Sequence, residues 1–418
     1  MVALKLFHAR SLVYDLWRTQ IVNNPLRLQK ISVNGFKSLD NFYTEFQPHV
    51  TVLLGANGTG KSSILQFLSF IQAFLSGVPL RFFEQRTWLP ESIKPFSSHA
   101  NQIEAKLTFE TDNGIQIVWT FQWRITDNLL CGESLKYQKN NHTVEVFTYP
   151  IKPQSNTTRI QVGNKIIDGL RLSGSILAIL DSNIINDDES QMIAQAVLEW
   201  GQGIFALELM NPTVMRRGLI GTSWHFGHQG EWLSDFLAAL SKVQKERIVT
   251  RLSQFYPSLK NLHTVPKKTG WVDLQIAEHF PNANKINADH ISDGFLRLIA
   301  LASLPELSHK ISLILLDEVE DGIDPHILPD LIDNLSQEQN AQWIMTSHSP
   351  VLVNRFEPVA VRFLARTDTG ATISVGFNEI KEIQNDFEYQ GAGEIWFHTS
   401  NDTIEKWVRN AISRHGFQ

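Results

Sequence analysis

Thr51-Val52-Leu53-Leu54-Gly55-Ala56-Asn57-Gly58-Thr59-Gly60-Lys61-Ser62-Ser63 is the stretch on which the reading of this chain turns. It reads as a short apolar strand, a glycine-rich turn and the start of a helix running from Ile64 to about Leu75. The spacing Gly55-x-x-x-x-Gly60-Lys61-Ser62 is that of a phosphate-binding loop. Gly55, Gly58 and Gly60 let backbone N–H groups from Asn57 to Ser63 turn inward around phosphates, and the helix N-terminus adds a positive dipole end. Lys61 would reach the β- and γ-phosphates, and the Ser62 hydroxyl would take a Mg²⁺ position. A glycine-rich strand-to-helix turn with a chance lysine is the alternative. The apolar strand before the loop and the amphipathic helix after it speak against that. The expectation is a nucleoside-triphosphate site.

With 43% hydrophobic residues among 418, the chain has material for an extensive core and argues against extended disorder. Its length exceeds one average domain. Cys131 is the single cysteine, which excludes an intramolecular disulfide and fits a reducing compartment. Met1 to Asn24 does not read as a signal peptide, because Lys5, His8, Arg10 and Asp15 interrupt any apolar core. The helix from Ile64 to Leu75 is too short, and too polar at Gln66 and Gln72, to span a bilayer. A cytoplasmic protein without membrane association is expected. A net charge of −6 exerts no global pull on nucleic acid, so any such contact has to come from a local patch.

Ahead of the loop, Leu12, Leu16, Trp17 and Ile21 fall at helical spacing in an amino-terminal extension, residues 1–24. Leu28–Val33 alternates like a strand, with Phe42–Phe46 as its hairpin partner. Residues 76–101 look loop-like, broken by Gly77, Pro79, Pro90 and Pro95. Ile103–Glu110, Ile115–Trp123 and Val144–Tyr149 are strands, with Asp112-Asn113-Gly114 as a hairpin turn. After the polar stretch Lys152–Thr158 the middle region is less regular. Gln191–Trp200 reads as a helix, Ile204–Leu209 as a strand and Glu231–Tyr256 as two helices, before short strands around Leu262 and Val272. From Ile291 the texture is α/β again. The expected division is the extension 1–24, a first lobe 25–150, a helical and mixed insertion 151–285, and a second lobe 286–418.

Three later segments narrow the class. Ser312-Leu313-Ile314-Leu315-Leu316-Asp317-Glu318 is an apolar strand ending in two carboxylates. Its C-terminal edge would set Asp317 beside the phosphate loop to hold Mg²⁺, and Glu318 to polarise the attacking water. The competing reading is a core strand followed by a solvated acidic turn with Glu320 and Asp321. Ile291-Ser292-Asp293-Gly294-Phe295-Leu296-Arg297 opens an apolar helix; alone it is a helix cap, and it also offers a hydroxyl and free N–H groups to an anion. Ile344-Met345-Thr346-Ser347-His348-Ser349-Pro350 is a strand running into a histidine that can reach a γ-phosphate or serve structure alone.

In this order the four segments resemble an ATP-binding-cassette (ABC) ATPase. Gly55–Ser62 matches the Walker A motif, Ile311–Glu318 Walker B, and Ile291–Phe295 the serine-glycine signature, with Asp293 where transporters usually carry glycine. His348 matches the switch histidine, and Gly322-Ile323-Asp324 sits where the D-loop aspartate falls. Closer still is the resemblance to stand-alone "AAA family" ATPases related to RecF, SMC and OLD-type heads. It is carried by Ile31-Ser32-Val33-Asn34-Gly35-Phe36-Lys37-Ser38-Leu39, by the helix from Ile291 to Leu301, and by Gly393-Glu394-Ile395-Trp396.

The resemblance implies an α/β ABC-ATPase head, with a parallel sheet around the phosphate loop, an antiparallel β-subdomain, and a helical insertion between Walker A and the signature. It implies ATP and Mg²⁺ as ligands, the metal on Ser62 and Asp317, and ATP hydrolysis through Glu318, His348 and Lys61. Ser292 and Gly294 would complete the site of a second copy, giving a homodimer with ATP sandwiched between heads. Such heads commonly act beside a separately encoded effector, a nuclease or toxin, in antiviral defence against phage. A RecF-like DNA-repair or DNA-binding ATPase is the alternative. An OLD-type nuclease would need a further domain after His348, where about seventy residues follow. Transporter subunits carry the signature much closer to Walker A. Gln122 and Gln161 are candidates for the family's Q-loop glutamine. Lys242, Lys245, Arg247, Arg251, Lys260, Lys267 and Lys268 against the single acid Glu246 form a candidate nucleic-acid or partner patch, or a solvated helix face. Val243, Ile248, Leu252, Phe255 and Leu259 are expected to face inward beneath it.

Overall fold

The computed structural model describes residues 25–415, apart from 97, 99, 141, 151–158, 164, 168–170, 181–183, 186, 218–224, 268–269, 282–283, 308–310, 339 and 385–389. The expected helix in 1–24, the polar stretch Lys152–Thr158 and Lys268 lie outside the described residues.

Among the described residues the strands form three sheets. The central one has six strands in the order Ile204–Leu207, Leu313–Leu316, Gln342–Thr346, Val50–Leu54, Val361–Arg366 and Thr372–Gly376. Its first five strands run parallel, and the last turns back antiparallel. The strands are apolar on both faces because both faces are covered. Leu53, Leu313, Leu315, Ile344 and Leu364 point into one core, while Val52, Leu54, Ile314, Leu316, Met345 and Phe363 point into the other. This is the period of two that a pleated strand imposes. Ile204–Leu207 comes from the middle of the chain, yet it pairs with the strand that ends at Asp317.

Against one face packs the helix Lys61–Leu75, and over it lies an eight-stranded antiparallel sheet that begins with Arg27–Asn34 and Phe42–Glu45. The helix repeats Ile64, Phe67, Leu68, Ile71, Phe74 and Leu75 toward the two sheets, all fully or nearly fully buried. Its aromatic rings meet those of the antiparallel sheet, with Phe74 and Phe121 stacked at 4.4 Å between centroids. Gln342 joins the layers, since its buried amide bonds Leu28 N at 3.0 Å, Leu28 O at 2.8 Å and Gln47 O at 2.8 Å. The other face carries the helix Asp293–Ala302, the helix Lys242–Ser253 with a three-stranded sheet, and the helices Leu328–Glu338, Ala392–His398 and Asn401–His415.

The hairpin turn at Asp112-Asn113-Gly114 is present, with Gly114 at φ +77°. One expectation needs correction, and one strand was not foreseen. Residues 76–101 are not wholly loop: Pro79, with φ −58°, starts a short helix Leu80–Glu84 that buries Phe82 and Phe83, and Pro90–Ile93 is a 3₁₀ turn. The strand Leu129–Lys139 escaped the alternation pattern because Gly132 and Glu133 occupy inward positions where apolar residues normally stand.

Candidate functional site

The strand Val50–Leu54 delivers the chain into the turn, and the helix begins at Lys61 itself. Gly60 stands at φ +105°, and a Cβ there would lie 2.1 Å from Thr372 Oγ1, so only glycine fits. Thr372 Oγ1 lies 2.9 Å from Thr59 O and 2.8 Å from Ser38 Oγ, while Arg366 Nε donates to Gly58 O at 2.7 Å. The rear of the loop is therefore held by the two strands that follow residue 360. Gly58 faces open space on the other side. Lys61 is buried, and its ammonium donates to Gly55 O at 2.8 Å and Ala56 O at 3.1 Å. Burial lowers its pKa, against the pull of Asp317, Glu318 and Glu320.

Opposite the loop, Ser62 Oγ donates to Asp317 Oδ1 at 3.3 Å, and Thr346 Oγ1 donates to the same oxygen at 2.7 Å. Glu318 follows in a left-handed backbone conformation at φ +46°, with its amide donating to Thr346 Oγ1 at 2.7 Å. Burial first, and then Asp317, Glu320 and Asp321, push the Glu318 carboxyl above the usual carboxylate range, with Lys61 opposing. A raised pKa suits a proton acceptor near neutral pH. Backbone N–H of His348 donates to a carboxylate oxygen of Glu320. Burial and Lys61 depress the His348 pKa, which favours the neutral imidazole.

Polyphosphate and metal fit these residues. His348 Nε2 and Glu320 Oε2 are buried without a hydrogen-bond partner, so the site keeps unused polar atoms beside the loop. Among the described residues no set of three histidine, cysteine or acidic side chains could hold a metal ion unaided. Ser62 and Asp317 would hold Mg²⁺ only together with phosphate oxygens and water, as that ion prefers.

Ser292 caps the helix Asp293–Ala302 through Phe295 N at 3.3 Å. Gly294 lies under the turn that follows the strand Leu313–Leu316 and its two carboxylates, where a Cβ would meet Gly322 O at 2.2 Å. Arg297 bonds Asp321 at 2.6 Å, and Asp324 Oδ1 accepts from His326 N at 2.9 Å in the next turn. Among the described residues no hydrogen bond joins Ser292 or Gly294 to the phosphate loop. The structure thus gathers Lys61, Ser62, Asp317 and Glu318, sets His348 within electrostatic reach of Lys61, and ties the helix that Ser292 caps to the turn at Asp321 and Gly322.

Gly393-Glu394-Ile395-Trp396 also finds a place. Gly393 N donates to Asn354 Oδ1 at 2.6 Å, and a Cβ on Gly393 would lie 2.0 Å from Pro350 O. That close approach brings the Trp396 ring to 6.4 Å from His348 and 5.6 Å from Phe363. Gln122 lies on the strand Gln116–Arg124, and Gln161 Nε2 bonds Gly163 O at 3.1 Å; among the described residues neither is bonded to the loop. Instead the residue after the strand beside Leu313–Leu316 is Glu208, which pairs with Arg86, itself bonded to Ser69 Oγ at 3.0 Å. Lys37 Nζ donates to Gln66 at 2.7 Å and sits 3.9 Å from the Trp88 ring centroid, and burial lowers its pKa to about 8. Sequence reasoning missed this cluster because Arg86 and Trp88 lie in the stretch taken for loop.

Four residues of the basic stretch pair with acids within the fold. Arg247 and Arg251 both bond the buried Glu306, and Arg251 also bonds Glu338. Lys267 pairs with Asp273, and Lys242 with Glu246. The helix ends at Ser253, and Val243 is 60% exposed, contrary to expectation. Five residues at about 100° each place Val243 some 140° from Ile248 around the helix, off the face that Ile248 and Leu252 bury.

Solved structures that share the fold include two Smc heads. One is an Smc head bound to the C-winged helix domain of ScpA, 14% identical, with a TM-score of 0.51 over 84% of this chain and 97% of that one. The other is the Smc head domain with an extended coiled coil bound to the C-terminal domain of ScpA from Pyrococcus furiosus, 12% identical, with a TM-score of 0.50 over 87% and 100%. No curated protein sequence matches the chain. The sequence profile of the RecF/RecN/SMC N terminal domain matches residues 27–369, most of the chain. With its phosphate loop and paired carboxylates in the arrangement of an ABC-type ATPase head, the chain belongs to the RecF/RecN/SMC family.

Proposed function

We propose that this chain hydrolyses ATP and uses the nucleotide to join two copies of itself, so that the joined state controls a partner effector. The observation that carries the reading is the convergence of Lys61, Ser62, Asp317 and Glu318, while the signature at Ser292 and Gly294 is tied to the D-loop and bonded to none of them. Lys61 and the N–H groups of Asn57, Gly58, Gly60, Ser62 and Ser63 hold the phosphates. Ser62 and Asp317 would hold Mg²⁺, which would supply charge neutralisation at the phosphates. Glu318 accepts a proton from water as its oxygen bonds to the γ-phosphorus. The bond from that phosphorus to the bridging oxygen breaks, leaving ADP and phosphate. Neutral His348 orients the γ-phosphate through its unpartnered Nε2. Ser292 and Gly294 serve the nucleotide of the second copy, so a γ-phosphate favours the joined state and its loss favours separation.

The effector we infer is a separately encoded nuclease or toxin acting against phage. The ion pairs that hold Arg247 and Arg251 within the fold weigh against nucleic acid as the principal ligand of that face. Light scattering tests the first part: Glu318→Gln with ATP and Mg²⁺ should double in mass, and a mass that stays at one copy sinks the switch. Plating of phage on cells carrying the gene and its neighbours tests the second. Protection that survives Lys61→Ala would rule out nucleotide control.

No helix among the described residues is long and apolar enough to cross a membrane.

A further inference from the structure

Asp293 departs from the glycine usual in transporter signatures, and the structure gives it a partner. Arg216, from the helix Pro212–Arg217, bonds the Asp293 carboxylate and donates through Nη2 to Ile291 O at 2.8 Å. One guanidinium therefore grips the residue before Ser292 and the residue after it. The segment that carries Arg216 is itself anchored at the nucleotide site. It leaves the strand Ile204–Leu207, which pairs with Leu313–Leu316 beside Asp317, and Met210 O accepts from Arg297 of the signature helix at 3.2 Å. Arg297 in turn bonds Asp321. Ser292 is thus bracketed by groups whose positions depend on the carboxylate strand of its own copy.

We propose that Arg216 is a positioning residue. It fixes the Ser292 hydroxyl and the neighbouring N–H groups in the orientation that completes the nucleotide site of a second copy. It does not serve the phosphates held by its own chain. The geometry supports this because the one nitrogen Nη2 reaches both the Ile291 carbonyl and the Asp293 carboxylate, so a single group ties the turn before Ser292 to the start of the helix after it. The inference rests on the composite site proposed above, and the test separates the two.

Full-length Lys61→Ala, Ser292→Arg, Arg216→Ala and Asp293→Asn proteins are assayed singly and in equal mixtures. Arg216→Ala alone should lose at least tenfold in ATP turnover, yet bind a fluorescent ATP analogue within twofold of the unaltered chain. Mixed with Lys61→Ala it should regain activity, because Lys61→Ala supplies a sound signature to a sound phosphate loop. Mixed with Ser292→Arg it should not, because both partners spoil the same half. Asp293 is exposed, so Asp293→Asn breaks the ion pair from the solvent side and should repeat the pattern even if Arg216→Ala folds poorly. Recovery with Ser292→Arg equal to that with Lys61→Ala, or a tenfold loss of analogue binding by Arg216→Ala and Asp293→Asn alone, overturns the assignment. The Lys61→Ala with Ser292→Arg mixture is the control. If it recovers while Arg216→Ala with Lys61→Ala does not, the role of Arg216 fails and the composite site stands; if the control itself fails, the composite site falls and takes this role with it.

Discussion

Thr346 Oγ1 donates a 2.7 Å hydrogen bond to Asp317 Oδ1, linking neighbouring parallel strands at their C-terminal ends. The same hydroxyl accepts from the amide of Glu318, the residue in left-handed conformation. One buried side chain therefore holds both the carboxylate assigned to the metal and the backbone of the one assigned to proton transfer.

Thr346→Val keeps the shape and removes both bonds, leaving the Glu318 amide without its acceptor. A stability loss of about 1–3 kcal/mol is expected. Turnover should fall further than ATP affinity, because the geometry lost belongs to Glu318. Urea unfolding with steady-state phosphate release checks this. Equal losses in affinity and turnover would mean that the hydroxyl serves the fold alone.

Lys61→Ala and Glu318→Gln should divide binding from chemistry. The first removes the buried ammonium and should abolish ATP binding by calorimetry. The second keeps size and polarity, should bind ATP as before, and should lose roughly 10²–10⁴-fold in turnover. Glu318→Gln that hydrolyses at the unaltered rate would move the base elsewhere.

Glu133 gives a pH dependence remote from the site. Burial pushes its carboxyl up to about 7, although Ser175 Oγ, Ile176 N and Trp119 Nε1 donate to it. In the unfolded chain it titrates near 4.5. Between those values the native chain holds a proton that the unfolded chain has lost, so this group's stabilisation is present below pH 4.5 and lost as pH rises toward 7. One such group changes stability by at most about 1.4 kcal/mol per pH unit. Glu133→Gln should flatten the slope of urea midpoints over that window. Parallel slopes in the two proteins would refute the assignment.

Glu306 offers a stability test in the basic region. It is 1% exposed and receives Arg247 and Arg251. Glu306→Ala should cost on the order of 2–3 kcal/mol, because the largely buried Arg251 guanidinium loses its buried counter-charge and keeps only the more exposed Glu338. Lys242→Glu with Lys260→Glu, both exposed, should change stability by less than about 0.5 kcal/mol. A loss of nucleic-acid retention in this lysine pair, steep in salt, would restore the patch as a binding surface.

The phosphate loop, the carboxylate strand and the signature turn were legible because each couples a fixed spacing to an apolar run. The architecture followed from them. Contacts between distant segments were not legible. Nothing local in Arg86 or Glu208 announces their ion pair across more than a hundred residues, and Arg216 carries no motif. The basic residues near Arg247 misled in another way, because their acids, Glu306 and Glu338, lie on other elements. Exposure of Val243 was computable from helix geometry and was overridden by residue type.

The sheet order has a consequence for synthesis on the ribosome. Val50–Leu54 emerges early, but its two ladder partners are Trp343–Thr346 and Val361–Phe363. Until residue 363 has left the exit tunnel, the strand before the phosphate loop has an open hydrogen-bonding edge on at least one side, and such edges invite wrong pairing. The nucleotide pocket is then among the last features to mature, although the phosphate loop Gly55–Ser62 is among the first stretches translated. A nascent chain cut short before Trp343 lacks both ladder partners of that strand.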